Sequence, residues 1–292
     1  MTGRRAVLTV LLALCAPACG RIAFQTPCSD SPGACGTDVG VGDAGADAAP
    51  VDAASDAMVD AGGPGIDDVI TDPDGDGQPD LIAFYALDGC SPEDTWGAHD
   101  GAVVGTLTSE ADRFATADGA CRFPANAYVE VSFFADLASP TFSVSVWTRV
   151  DWAAISGFGS LYTWRDDNPV SGFNVFARNL APTGRWELYF APDPPNATGN
   201  PWNSDLFDGT QDDVWHHVAV TYDGTDAVLY LDGAEIARMT SNYNATHTRP
   251  LRIGMGTGSG GGTLYPFAGI IDEVALYDRA LTAGEVAAIQ TR

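Results

Sequence analysis

The sequence predicts an all-β chain: two antiparallel sheets packed face to face as a β-sandwich, closed by one short C-terminal helix. Three observations carry that expectation. Short runs rich in Val, Ile, Phe, Tyr and Trp recur through the last two-thirds of the chain, separated by Gly, Asp, Asn and Pro. Within them apolar residues alternate with others, as at Phe142, Val144 and Val146, the period of a strand with one buried face. Asp223-Gly224 and Asp232-Gly233 separate three such runs between Trp215 and Ala237. Asp-Gly favours type I′ hairpins, whose two central residues need positive φ, so this stretch reads as an antiparallel meander.

The chain opens with a secretory leader over residues 1–18. Arg4-Arg5 supply its positive end, Ala6 to Ala13 its apolar core, and Ala16-Pro17-Ala18 the small residues before Cys19. The apolar core is too short to span a bilayer, which takes about 20 residues. A cysteine after small residues resembles a bacterial lipobox, although Ala16 stands where Leu is commoner. Lipidation of Cys19 is therefore expected. The expected location is the cell envelope, as an outer-membrane lipoprotein or at the cell surface, with the lipid as the sole membrane contact.

Four cysteines remain: Cys28, Cys35, Cys90 and Cys121. An even number in an oxidising compartment suggests pairing, and four allow three connectivities. Cys28–Cys35 with Cys90–Cys121 keeps each bridge inside one structural unit. No Cys-x-x-Cys occurs, so zinc is not supported.

Residues 19–70 read as a disordered tether. From 37 to 70 the chain is mostly Ala, Asp, Gly and Val, too little bulk to offset chain entropy. The net charge is −25, and every base is Arg. Residues 20–80 carry 13 Asp against one Arg, and 81–292 carry 26 acids against 11 Arg. Such a chain does not attract nucleic acid or an anionic surface; divalent cations are its natural counter-charge. At 71–80, Asp72-Pro-Asp74-Gly-Asp76-Gly77-Gln-Pro-Asp80 places carboxylates at alternate positions with glycines for a sharp turn. It resembles the first nine residues of an EF-hand loop and the thrombospondin type 3 repeat. Such oxygen ligands suit Ca²⁺, but Ala83 stands where an EF-hand has its bidentate acid.

The folded domain is expected over 81–292. Its strand-like runs are Leu81–Leu87, Gly101–Leu107, Ala127–Phe133, Thr141–Val150, Gly159–Trp164, Gly172–Ala177, Trp186–Phe190, Trp215–Tyr222, Ala227–Leu231, Ala234–Met239, Leu251–Gly254 and Phe267–Tyr277. Thr282 to Thr291 alone looks helical, with Thr282 and Glu285 spaced as a capping box.

Several of these runs, in order, carry a family likeness. Phe142-Ser-Val-Ser-Val-Trp-Thr-Arg-Val150, the meander from Trp215, Leu251-Arg-Ile-Gly254 and Gly269-Ile-Ile-Asp-Glu-Val-Ala-Leu-Tyr277 resemble strands of the laminin-G-like (concanavalin A-like) domains. The resemblance covers about residues 81–292 and implies a jelly-roll. It further implies a structural Ca²⁺ near the sheet edge, with Asp272 matching a recurrent family Asp and Asp88 able to approach it. The glucanases of this fold use Glu-x-Asp-x-x-Glu on one strand face, a spacing absent here.

Eight aromatic residues fall between Trp152 and Trp202. Sugar-binding sandwiches stack flat rings on sugars and fix hydroxyls with Asp, Asn and Arg. Trp164, Arg165, Asp166 and Asn168 would form one such set, and Trp202 with Asn203 a second. Catalytic signals are missing: there is no Gly-x-Ser-x-Gly, and strand alternation sends Asp272 and Glu273 to opposite faces, as it does His216 and His217. The expectation is an exported, non-catalytic binding or adhesion module for a glycan or an extracellular or envelope protein. A carbohydrate-active enzyme on the same fold, or a structural envelope protein, is the alternative.

Overall fold

The computed structural model describes residues 68–167, 170–180, 183–190, 202–203, 209–210, 213–240, 243–258 and 261–292, all within the compact unit Asp56–Arg292. The leader, Cys19, the Cys28–Cys35 pair, residues 19–67 and Asn168 lie outside them. Among the described residues two α-helices are present, α1 (Asp68–Thr71) and α2 (Ala283–Thr291). The strands, in chain order, are β1 (Leu81–Tyr85), β2 (Gly101–Val104), β3 (Thr108–Glu110), β4 (Ala120–Phe123), β5 (Tyr128–Val131), β6 (Phe142–Val150), β7 (Phe158–Asp167), β8 (Val170–Leu180), β9 (Thr183–Phe190), β10 (Trp202–Asn203), β11 (Gly209–Thr210), β12 (His216–Tyr222), β13 (Asp226–Leu231), β14 (Ala234–Thr240), β15 (Leu251–Ile253), β16 (Gly256–Thr257), β17 (Thr263–Leu264) and β18 (Gly269–Tyr277).

Two antiparallel sheets form the body. The first runs β14-β13-β12-β6-β18-β4-β3, with β1 also on β18; the second runs β10-β9-β8-β7-β15-β5-β2, with β11 on β9. The predicted jelly-roll sandwich is what forms. Alternation decides the core: Val144, Val146, Val218, Val220, Ile271 and Leu276 of the first sheet meet Leu161, Val175, Leu188, Val129 and Ile253 of the second. Burying each such side chain is worth about 1.5–3 kcal/mol. At one end, Phe142, Phe173 and Phe190 stack with centroids 4.7–6.0 Å apart.

The hairpins differ from expectation in one place. Asp232 (φ 49) and Gly233 (φ 77) both take the left-handed conformation, as a type I′ turn requires. At the first Asp-Gly only Gly224 does, with φ 92. There the Asp223 carboxylate accepts the N–H groups of Thr225 and Asp226 at 2.8 and 2.7 Å, so the side chain closes a longer loop.

The outer face of the first sheet is covered at one end. Leu281, Val286 and Ile289 around α2 pack on Ala219, Val228, Tyr230, Ala275 and Tyr277, joined by Ile70 of α1 and by Leu81 and Phe84. The capping box forms: Thr282 Oγ1 accepts the Glu285 N–H, and the Glu285 side chain accepts the Thr282 N–H. Asp68–Ile70, inside the stretch expected as tether, are helical, and Ile70 joins this apolar surface. Cys90 and Cys121 are bonded to each other.

Candidate functional site

Beyond the helix-covered end, the outer face of the first sheet carries polar side chains in two cross-strand rows. Register places them. Arg122 of β4 lies opposite Ile270 of β18, and Ile270 opposite Arg149 of β6. In the adjacent row Asp272 lies opposite Trp147, and Trp147 opposite His217 of β12. Residues two apart on a strand share a face, so both rows point outward, about 7 Å apart.

The first row floors an open groove of about 440 Å³, lined by Arg122, Arg149, Val150, Asp151, Trp152, Ala153, Asp213 and Ile270. Arg149 sits 3.2 Å from the Asp213 carboxylate, whose side chain is 87% exposed. Arg122 pairs with Glu110 of β3. Two guanidiniums and two carboxylates line the groove, so its charges cancel. It offers two guanidiniums fixed on strands and two loop carboxylates, beside Trp152.

The second row is buried. Asp272 is 2% exposed. Arg113, from the β3–β4 turn, lies over it, 3.6 Å from its carboxylate and 3.0 Å from that of Glu273. Sequence reasoning sends these two acids to opposite faces. The structure corrects that: Glu273 has φ 48 and the register slips between Asp272 and Ala275. The bulge breaks the alternation, and one guanidinium bridges both carboxylates. Burial, then the Glu273 charge, pushes Asp272 up to about 8 against the pull of Arg113. Asp88 is raised too, first by burial and then by Glu273 and Asp112.

His217 Nε2 lies 2.7 Å from Ser145 Oγ, the spacing of a nucleophile and its base. Both are buried, and burial drops His217 to about 4, so the pair is a neutral sheet contact with no path for a substrate. His216 diverges to the Asp232 carboxylate at 2.8 Å.

Trp164, expected to stack on sugar, is not at the surface. Trp164 is fully buried, donates its indole N–H to the Arg249 carbonyl at 2.9 Å, and lies 4.1 Å from the His247 ring. Its β-period put it on the core face, where the largest side chain gains most from burial. Arg165 covers the Tyr189 ring at 4.1 Å, and Asp166 pairs with Arg249 at 2.8 Å. Trp202 and Asn203 lie in β10, beside Tyr189 and Leu188.

In the Asp-rich loop, Asp72, Asp74 and Asp80 bring carboxylate oxygens within 4.8 Å of one another. These hard donors fit a divalent cation. Asp72 also accepts the N–H groups of Gly75, Asp76 and Gly77, and Asp76 turns away to cap Gln78. Arg279 enters the same cluster: it grips Asp80 at 2.5 Å and Glu285 at 3.0 Å and lies 3.4 Å from Asp74. The guanidinium stands where a bound cation would take its charge. Asp88 and Asp272 form no comparable group of three among the described residues.

With the sandwich and its outer face in view, the family follows. The model of the concanavalin A-like lectin/glucanases superfamily matches residues 123–287. The chain belongs to this superfamily. The match spans β6, the β12–β14 meander and β18, and so includes every strand of the two rows except β4, which carries Arg122. No curated protein matches the chain. Among solved structures, domain 4 of AbnA, a GH43 extracellular arabinanase from Geobacillus stearothermophilus in complex with arabinotriose, is similar at TM-score 0.54 and 19% identity, over 71% of this chain and 96% of that one. The binding domain of Paraclostridial Mosquitocidal Protein 1 follows at 0.52 and 16%, over 72% of this chain and 51% of that one. The botulinum neurotoxin serotype D binding domain stands at 0.50 and 13%, over 73% and 51%. The chain thus spans about half of each toxin binding domain. At these identities the likeness is one of fold.

Arg149 and Ile270 lie inside the runs that carried the family likeness, but nothing in the sequence marks them as groove floor. Arg113 gave no signal either, since its turn meets β18 only through the fold.

Proposed function

We propose that this superfamily member is an exported, lipid-anchored, non-catalytic module that binds a neutral oligosaccharide in the groove of Arg122, Arg149, Asp151, Trp152 and Asp213. The observation that carries the reading is the groove's charge balance. Two strand-borne guanidiniums beside two loop carboxylates suit the donors and acceptors of sugar hydroxyls, while a chain of net charge −25 repels anionic polymers. The solved arabinanase domain held arabinotriose, a neutral sugar, so arabinan fragments head the probes. The test is a glycan array with the full chain, followed by titration of the best ligand. Wild type is expected to bind neutral glycans and Arg149→Ala to lose most of that affinity. Binding confined to acidic glycans, or untouched by Arg149→Ala, sinks the proposal. The anchor is tested separately: mass spectrometry of the mature chain should find a diacylglyceryl group on Cys19, and an unmodified α-amine further on refutes it.

One observation favours a second reading. A carboxyl raised to about 8, as at Asp272, is what a glycosidase's general acid needs. Its burial beneath Arg113 stands against this, because a proton donor must reach the leaving oxygen. Polysaccharide turnover lost in Asp272→Asn would establish the enzyme.

A further inference from the structure

Phe114 is 64% exposed, the most exposed large apolar side chain among the described residues. Its turn is not loose. The Asp112 carboxylate accepts the N–H groups of Phe114 and Thr116 at 2.8 and 2.7 Å. The Asp112 N–H donates to the Thr116 carbonyl, the Ala115 N–H donates to the Asp112 carbonyl, and Ala115 takes φ 64. The Arg113 guanidinium lies 4.3 Å from the Phe114 ring and 4.6 Å from the Trp147 ring. The same guanidinium is fixed from below by Asp272 and Glu273. One side of the phenyl ring is therefore backed by a cation that is itself held in place, and the rest of the ring meets water.

The turn's position relates it to the groove. Phe114 lies between β3 and β4, and Arg122 on β4 lines the groove. Trp147 lies two residues before groove residue Arg149 on β6, on the same outward face. Through Arg113 the ring is joined to Trp147, in the row next to the groove floor, and the two rows are about 7 Å apart along the strands, roughly the span of one further sugar unit.

We infer that Phe114 is a stacking contact for a sugar unit of the oligosaccharide whose neighbouring unit occupies the Arg122–Arg149 groove. This rests on the groove reading above. A phenyl ring has no hydrogen-bonding group, so what it offers is a flat apolar surface, and the matching surface of a sugar is its C–H face. Preorganising the ring removes the ordering cost on binding. The groove supplies polar recognition, and Phe114 extends the site to a second unit.

The test titrates the full chain with arabinotriose and a panel of neutral gluco-, xylo- and galacto-oligosaccharides, by calorimetry. Wild type, Phe114→Ala, Phe114→Trp and Arg149→Ala are compared. Phe114→Ala is expected to weaken the best ligand about tenfold, while Phe114→Trp keeps wild-type affinity. Trimers should lose more than monosaccharides. Thermal midpoints check that Phe114→Ala, at an exposed position, remains folded. If Arg149→Ala loses binding while Phe114→Ala retains it, the groove stands and the inference about Phe114 falls. If wild type binds none of the panel, the groove reading falls and takes the inference with it.

Discussion

Replacing Asp272 by Asn tests the most unusual charge in the fold. The folded protein holds this carboxyl at about 8, up from 3.8, because burial and Glu273 outweigh Arg113. The protonated form is thus favoured on folding. Its stabilising contribution is complete below about pH 4 and is lost as pH climbs through about 8. Such a shift corresponds to roughly 6 kcal/mol, a ceiling that side-chain movement and water entry reduce to about 2–4 kcal/mol. Asn keeps the shape and removes the charge, and Arg113 keeps Glu273 as a partner at 3.0 Å. Urea unfolding with the Cys90–Cys121 bridge intact provides the assay. At pH 5 the two proteins should agree within about 1 kcal/mol; at pH 8.5 Asp272→Asn should be the more stable by about 2–4 kcal/mol. Asp88, raised in the same direction, titrates in both proteins and largely cancels. Parallel pH profiles would refute the reasoning, since they would mean that Arg113 keeps Asp272 ionised throughout.

Three further outcomes are expected. The Cys90–Cys121 bridge closes a sequence separation of 31, so the double Ser variant should lose about 3.7 kcal/mol in denaturant unfolding, and a loss below about 1 kcal/mol contradicts the loop-closure account. Trp164→Ala should cost roughly 3–5 kcal/mol as a core truncation while glycan affinity, measured well below the unfolding midpoint, stays unchanged; lost binding at full stability would return Trp164 to the surface. Arg279→Ala removes the guanidinium shared by Asp74, Asp80 and Glu285, so it should destabilise by about 1–3 kcal/mol and gain a thermal shift from millimolar calcium larger than the wild type's. Equal shifts in the two proteins would show that Arg279 does not fill the cation's place.

Local chemistry carried the strands that were legible. β6, β12 and β13 are long alternating runs, and the β13–β14 turn needs positive φ at Asp232 and Gly233. The α2 cap was readable because Thr282 and Glu285 act within one turn. β3 and β4 were missed: Thr108–Glu110 and Ala120–Phe123 are short and polar or Gly-flanked, and pairing of β4 with β18, and of β3 with β4, makes them strands. Asp-Gly at Asp223 misled because the Asp side chain supplied the turn's hydrogen bonds.

The chain's order of apolar and polar residues determined the all-β class, the inward faces of the sheets and the helix start, since each depends on neighbours a few residues apart. Tertiary structure alone decided which aromatic residues face solvent and which charges meet. Trp164 and Phe114 are both aromatic, yet one is walled in by residues near 249 and the other is held out by a turn. Asp272 and Arg113 are 159 positions apart, and the bulge at Glu273, which lets one guanidinium meet both carboxylates, lies between the stretches of β18 that pair with β4 and with β1. Contacts of that range follow from how sheets pack, which no local pattern encodes.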